Sequence, residues 1–244
     1  MESYFNRGGL HYRLTMYKII SDCKDFLIIS KDPGVSFHKE GESEGLHEKI
    51  KADLELKALY SVHRLDKITS GLLIFAKNSE TARELSHKFR NRMVEKYYLA
   101  ISDRKPRKKQ GTIKGDMEKS RRGSWKLTRG NEDPALTSFF SYALGEGLRL
   151  FLLRPYTGKT HQLRVAMKSI GAPVLGDSIY HKKEEDKPCD RGYLHSYVLR
   201  FELDGKMYQF ENRPDSGEHF INETFLLHIK KCEHPWKLSW PLIK

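Results

Sequence analysis

One stretch, residues 61–77, S-V-H-R-L-D-K-I-T-S-G-L-L-I-F-A-K, constrains this chain more than any other. Leu72, Leu73, Ile74, Phe75 and Ala76 form an unbroken apolar run bounded by Gly71 and Lys77. A run of that length, preceded by turn formers, is the pattern of a strand buried on both faces. Such a strand needs a sheet with a covering layer on each side. Thr69, Ser70 and Gly71 are the turn formers, which places Asp66 on the loop that feeds the strand. A carboxylate in that place has two readings. It caps a turn through its own backbone contacts, or it is a catalytic group on a loop held by a rigid strand. His63 and Arg64 tilt the balance to the second, because basic neighbours hold a carboxylate ionised and aimed.

The rest of the chain reads as mixed α and β, with strands in the majority. Asn78 or Ser79 caps a helix in which Ala82, Leu85, Phe89 and Met93 recur at helical spacing as core positions, and a strand follows over residues 96–101. Residues 139–144 and 148–153 flank Gly145-Glu146-Gly147 as a hairpin. Residues 197–203 and 206–210 flank Asp204-Gly205, a two-residue turn of the primed type. A second helix is predicted over about 160–170, with Thr160 as cap, Gly171 as terminator and Leu163, Met167 and Ile170 facing the core. His161 and Arg164, three apart, would share a different face of that helix. Taken alone, Arg164 reads as a solvated helix charge.

Charge points to a polyanion. Lys and Arg number 44 against 32 Asp and Glu, a net charge of +12, which is the electrostatic footprint of a nucleic-acid binder, although a merely basic soluble protein would share it. Much of the excess lies at about 103–134, in the runs 104–109, R-K-P-R-K-K, and 119–126, K-S-R-R-G-S-W-K. Such runs are commonly solvated loops. With Trp125 available for stacking beside Arg121, Arg122 and Lys126, they also suit an arm that grips an RNA backbone or a splayed base. The 3 cysteines, Cys23, Cys189 and Cys232, are an odd number without close pairing, which argues for a reducing compartment. No stretch approaches the ~20 apolar residues of a membrane span and no secretory segment opens the chain, so a cytoplasmic location is expected. No paired Cys or His spacing suggests a metal.

H-R-L-D-K-I-T-S-G-L-L-I-F-A-K resembles the active-site motif of the RluA-type pseudouridine synthases. Residues 154–180, R-P-Y-T-G-K-T-H-Q-L-R-V-A-M-K-S-I-G-A-P-V-L-G-D-S-I-Y, are similar to a second signature of that family, and Lys96-Tyr97-Tyr98-Leu99-Ala100 resembles its K-x-Y-L-A segment. A weaker segment, residues 25–31 followed by Asp32-Pro33-Gly34 and His38, has Asp32 where the family more often has proline. Lys159 stands where arginine is usual and Ala166 where histidine often occurs. The resemblance spans about 17–214. It implies an α+β fold, a mixed and mainly antiparallel sheet core of the pseudouridine synthase type with flanking helices and a basic loop insert at about 103–134. It places a catalytic domain over 17–215 after an extension over 1–16; residues 216–244 lie outside the clear resemblance and are expected, from their own apolar residues, to pack back on the domain. In that C-terminal extension Phe220, Phe225, Leu226 and Ile229 read as a short amphipathic helix, and Trp236 and Trp240 as packing residues or, alternatively, RNA stacking residues.

The implied reaction is isomerisation of uridine in ribosomal or transfer RNA: the base leaves C1′, rotates and rejoins through C5. It needs no cofactor and no metal, and it requires the uridine to be extruded from its stack. In the resemblance Asp66 acts on the ribose, as nucleophile at C1′ or base at C2′, Tyr98 lies against the base, and Arg164 pairs with Asp66. His63, Arg64, Lys159, Thr160, His161, Gln162 and Leu163 are the expected substrate contacts, with Arg121, Arg122, Trp125 and Lys126 in the insert. A monomer is expected, with RNA as partner and no membrane. Two rivals stand beside this reading. One is a non-catalytic RNA-binding or assembly protein on the same fold, which would have no need of an aspartate facing a polyanion. The other is a glycoside or nucleoside hydrolase, which would commonly require a second carboxylate.

Overall fold

The computed structural model describes residues 16–37, 45–181 and 189–243. His38 and nearly all of the 1–16 extension lie outside the described residues. The strands are β1 (Tyr17–Asp22), β2 (Phe26–Lys31), β3 (Tyr60–Ser61), β4 (Thr69–Ala76), β5 (Glu95–Ser102), β6 (Gln110–Gly115), β7 (Met117–Lys119), β8 (Trp125–Leu127), β9 (Ala135–Gly145), β10 (Leu148–Pro155), β11 (Leu194–Leu203) and β12 (Lys206–Glu211). The α-helices are α1 (Leu46–Asp53), α2 (Ser79–Arg90), α3 (Gln162–Ser169), α4 (Glu218–Ile221) and α5 (Glu223–His228). Ten strands form one sheet in the order β1-β2-β4-β11-β5-β10-β9-β6, with β12 beside β11 and β3 beside β4. Its pairs are antiparallel except β4 with β11. The short β7–β8 hairpin stands apart.

The central strands show why their sequences are continuously apolar. All eight residues of β4 are buried. Leu73 and Phe75 face one cluster with Leu163, Met167 and Tyr98, while Leu72, Ile74 and Ala76 face another with Leu85 and Phe201. On β5 and β10, Tyr98, Ala100, Phe151 and Leu153 point to the first side, and Tyr97, Leu99, Leu150 and Leu152 to a third cluster on the opposite face. Alternation by two across a sheet with both faces covered produces this pattern.

Strand β4 begins at Thr69, so the predicted turn formers are already in the sheet. The reason is a close approach. Gly71 has φ +99°, and a Cβ there would stand 2.2 Å from the carbonyl oxygen of Ser196 on β11. Glycine lets β4 run against β11 over Thr69–Gly71 before β11, irregular between Ser196 and Val198, continues with β12. Both hairpins have primed turns: Glu146 and Gly147, and Asp204 and Gly205, all have positive φ.

Helix α2 is capped by Asn78, whose Oδ1 accepts from the Thr81 N–H at 2.8 Å. It ends at Arg90, and Arg92 at φ 62° turns the chain away, so Met93 is not a core position but 56% exposed. The N-cap of α3 is His161 in the left-handed region, not Thr160, and Gly171 follows its end at φ +79°. In the insert, β6 completes an edge of the main sheet, so that part is strand and not loop. The C-terminal residues give two short helices, α4 and α5, in place of one. Phe220, Phe225, Ile229 and Cys232 are buried against Tyr97, Leu152 and Tyr197, but Leu226 is exposed. Trp240 packs on Phe140 at 4.9 Å and Arg200 lies 4.8 Å over Trp236, so both tryptophans are occupied by packing.

Gly71→Ala is expected to lower the unfolding free energy by well over about 1 kcal/mol, because the added methyl meets backbone and the φ is unfavourable. Urea denaturation checks it; an unchanged midpoint would mean the β4–β11 approach is not rigid.

Candidate active site

The loop before β4 is fastened from below. The Lys31 ammonium, at the end of β2, donates to the carbonyls of Asp32 (2.9 Å), Val35 (2.9 Å) and Lys67 (3.2 Å). The Gly34 N–H donates to the same Lys67 carbonyl at 2.9 Å, and the Thr69 N–H to the Asp66 carbonyl at 3.0 Å. These bonds fix the backbone on either side of Asp66 and leave its side chain 22% exposed. The first residues of β4 are tied in turn. Ser70 Oγ accepts from Arg191 and donates to His195 Nδ1 at 2.7 Å, while His195 Nε2 donates to the Asn212 carbonyl at 2.7 Å. Burial pushes His195 down to about 3, so this chain runs through a neutral imidazole.

Arg164 is buried, contrary to the solvated-helix reading. Its Nε and Nη2 donate to the two oxygens of Asp177 at 2.7 and 2.9 Å, a bidentate pair, and its Nη1 reaches Asp66 Oδ2 at 3.3 Å. Burial works against its charge, yet the bonds and charges of Asp177 and Asp66 outweigh that and hold the guanidinium above its ordinary value. Asp177 Oδ1 also accepts from the N–H groups of Ile179 (3.0 Å) and Tyr180 (3.2 Å). The Arg164 guanidinium lies 5.0 Å over the Tyr180 ring. The Tyr180 hydroxyl accepts from the Trp125 N–H at 2.7 Å and so donates to His161 Nδ1 at 2.9 Å. Burial, the largest influence, lowers His161, in keeping with that neutral tautomer.

Asp66 opens into a cleft of about 670 Å³. Its wall includes Arg64, Arg90, Arg92, Lys96 and Lys159 against the carboxylates Asp66 and Asp133, so the surroundings are strongly basic. Tyr98 is buried at its floor, and burial raises the phenol to about 12. Lys96, two residues earlier on β5, donates to the Thr157 carbonyl at 3.4 Å, and burial brings its ammonium down to about 8.

Of the residues singled out from sequence, His63, Arg64, Asp66, Tyr98, Lys159, His161, Gln162 and Leu163 come together on this wall. Three take roles other than those expected. His63 is not a charged neighbour of Asp66: its Nε2 accepts from the Ile74 N–H at 3.1 Å, its ring stacks on Phe89 at 4.4 Å, and burial drives it to about 3. Gln162 is spent on the fold. Its Oε1 accepts from Thr157 Oγ1 (2.6 Å) and the Lys159 N–H (3.0 Å), and its Nε2 donates to the Leu136 carbonyl and to Thr137 Oγ1, both at 3.0 Å. Lys159 is paired with Asp133. Thr160 is not on the wall, nor are Arg121, Arg122, Trp125 and Lys126, which lie in or beside the β7–β8 hairpin. Lys126 pairs there with Glu118 at 3.1 Å and Lys119 lies 5.9 Å over the Trp125 ring. Sequence reasoning assigns no role to Asp177, Tyr180, Lys96, Arg90 or Arg92. Asp177 and Tyr180 stand in the G-D-S-I-Y segment quoted above, but nothing local reveals that they hold an arginine. Among the described residues, no group of three or more His, Cys, Asp or Glu is placed to hold a metal ion, and no helix is long and apolar enough to cross a membrane.

Residues 25–169 match the family model described as RNA pseudouridylate synthase. The chain is 46% identical to an uncharacterized RNA pseudouridine synthase of Haemophilus influenzae, over 87% of this chain and 94% of that protein. It is 36% identical to ribosomal large subunit pseudouridine synthase C of Rickettsia bellii, over 82% of this chain and 69% of that one. Among solved structures, human RNA pseudouridylate synthase domain containing 1 superposes with TM-score 0.68 at 28% identity, covering 82% of this chain and 83% of its own. Human RNA pseudouridylate synthase domain containing 4 shares the fold, with TM-score 0.65 at 21% identity and coverage of 93% and 94%.

Removing one partner of a buried ion pair strands the other. Asp177→Asn is accordingly expected to cost about 3 kcal/mol of stability in urea unfolding. An unchanged midpoint would show that Asp66 alone suffices to hold Arg164.

Proposed function

The chain belongs to the RNA pseudouridylate synthase family, and from that premise we propose that it isomerises uridine in ribosomal or transfer RNA with Asp66 as the catalytic carboxylate. The observation that carries this reading is the buried Arg164–Asp177 pair that holds Asp66 on the wall of a basic cleft. A carboxylate facing a polyanion is unfavourable unless it has work to do, and here a buried guanidinium fixes its orientation. The name of the Rickettsia relative supports ribosomal RNA of the large subunit as the first substrate to test.

The cleft is open to solvent on one side and lined by cations, which suits a strand whose target nucleotide has left its stack. Arg64, Arg90, Arg92 and Lys96 would bind phosphates and offset the cost of extrusion. Asp66 would act on the ribose as the N1–C1′ bond breaks. The base turns, C5 bonds to C1′, a proton leaves C5 and one is gained at N1, so nothing is added or released. Tyr98, kept as a phenol by burial, would offer its ring and hydroxyl to the base near C5. Arg164 would keep Asp66 aimed throughout.

Asp66→Asn is expected to abolish pseudouridine formation in unmodified ribosomal and transfer RNA, mapped at nucleotide resolution, while RNA affinity stays within a few fold. Turnover by that variant would remove Asp66 from the chemistry. Lys96 gives a pH signature: charged below about 8 and neutral above, it contributes to RNA binding at low pH and loses that contribution as pH rises. KM for RNA should therefore climb through about pH 8, and Lys96→Arg should flatten the climb because a guanidinium stays charged. A KM already independent of pH in that range would place Lys96 outside the RNA contacts.

A further inference from the structure

A second cavity, of about 470 Å³, opens at the other end of α3 from the Asp66 cleft. The cleft takes His161, Gln162 and Leu163 from the amino end of that helix; the second cavity takes Lys168 to Gly171 from its carboxyl end. The helix has 8 residues, which separates the two by about 12 Å along its axis. The facing wall comes from the start of the basic insert: Arg107, Lys108 and strand β6, with Phe139 of β9 behind it.

Gly111 leaves the edge of the otherwise buried Phe139 ring at the wall of this cavity. It stands opposite Phe139 in the antiparallel register, and a Cβ on it would lie 3.5 Å from the Phe139 ring. Without that side chain the ring edge borders the cavity, joined by Ile113 and Ile170 as an apolar floor. Arg107, Lys108 and Lys168 are exposed on the rim, and none of them is in an ion pair among the described residues. Lys168 also lies 5.5 Å over the Tyr180 ring, the ring over which the buried Arg164 guanidinium lies at 5.0 Å.

An apolar floor with an aromatic edge under a cationic rim fits an unpaired nucleotide, its base on the floor and its phosphates on the rim. We propose that this cavity binds an unstacked nucleotide of the substrate RNA next to the target uridine, a second anchoring site about one short helix away from the reaction. The inference rests on the reading that the Asp66 cleft acts on RNA.

The test uses a fluorescein-labelled oligouridylate, with inorganic polyphosphate as a charge-only competitor, and three proteins: the unmutated chain, Gly111→Leu and Arg107→Gln/Lys108→Gln. Gly111→Leu fills the cavity without changing charge. It should weaken oligouridylate binding about fivefold or more, leave the slope of log Kd against log salt unchanged and leave polyphosphate binding unaltered. The double variant should lower that slope by about 1.4, at about 0.7 per phosphate contact on a single strand. Oligouridylate carrying 4-thiouridine should photo-crosslink to the unmutated protein at peptides containing Phe139 or Ile170, which tests the site independently of how Gly111→Leu folds. Crosslinks confined to the Asp66 cleft, or equal loss of oligouridylate and polyphosphate binding in a folded Gly111→Leu, would overturn the site while leaving the cleft reading intact. Failure of the unmutated protein to bind any oligouridylate would overturn both.

Discussion

The buried ion pair between Arg164 and Asp177 is the constraint on which the candidate site depends. A guanidinium placed under a sheet is costly unless its charge and its planar fork are both matched. Asp177 matches them with two oxygens, and its Oδ1 is further occupied by the Ile179 and Tyr180 N–H groups. Only Nη1 is left, and Asp66 is what it meets. The longer 3.3 Å contact is therefore the adjustable end of a rigid chain. Loss of the Asp66 contact would not release Arg164, because Asp177 would still hold it.

The sheet supplies the other half of that rigidity. Asp66 is attached to β4 through a loop whose backbone is bonded on one side to Lys31 and Gly34 and on the other to its own Thr69. Arg164 is attached to α3, which packs Leu163 and Met167 into the same cluster as Leu73 and Phe75 of β4. The two ends of the Asp66–Arg164 contact thus share one core. Gln162 closes the arrangement by joining α3 to β9 and to the Thr157 loop, which explains why a polar side chain beside the cleft is directed inward and not at RNA.

How legible the site is depends on whether a residue's role is local. The double-sided burial of β4, the Asn78 cap and the primed turn at Asp204-Gly205 follow from near neighbours in sequence, and the structure has them. Thr160 and Met93 are misread because a single left-handed residue, His161 in one case and Arg92 in the other, moves a helix boundary and no sequence period announces it. His63 and Gln162 look like substrate contacts beside Asp66 and Arg164, but their partners, Ile74 and Leu136, are set by tertiary packing. Asp177 is invisible for the same reason. An acidic residue in a loop shows nothing of the arginine 13 positions earlier that it holds.

Charge in the cleft is divided by depth. The exposed positions, Arg64, Arg90 and Arg92, carry full cations where solvent and salt screen them, which suits phosphates that arrive and leave. Deeper down the imidazoles of His63 and His161 are neutral and Tyr98 keeps its proton, so the Asp66 carboxylate is left facing Arg164 as the one strong opposite charge in contact with it among the described residues. If His161 were charged, Asp66 would be divided between it and Arg164, because the Asp66 charge acts on that imidazole. Burial that silences it therefore does for the carboxylate what the ion pair with Asp177 does for the arginine. Each leaves one group of the Asp66–Arg164 pair with a single course open to it.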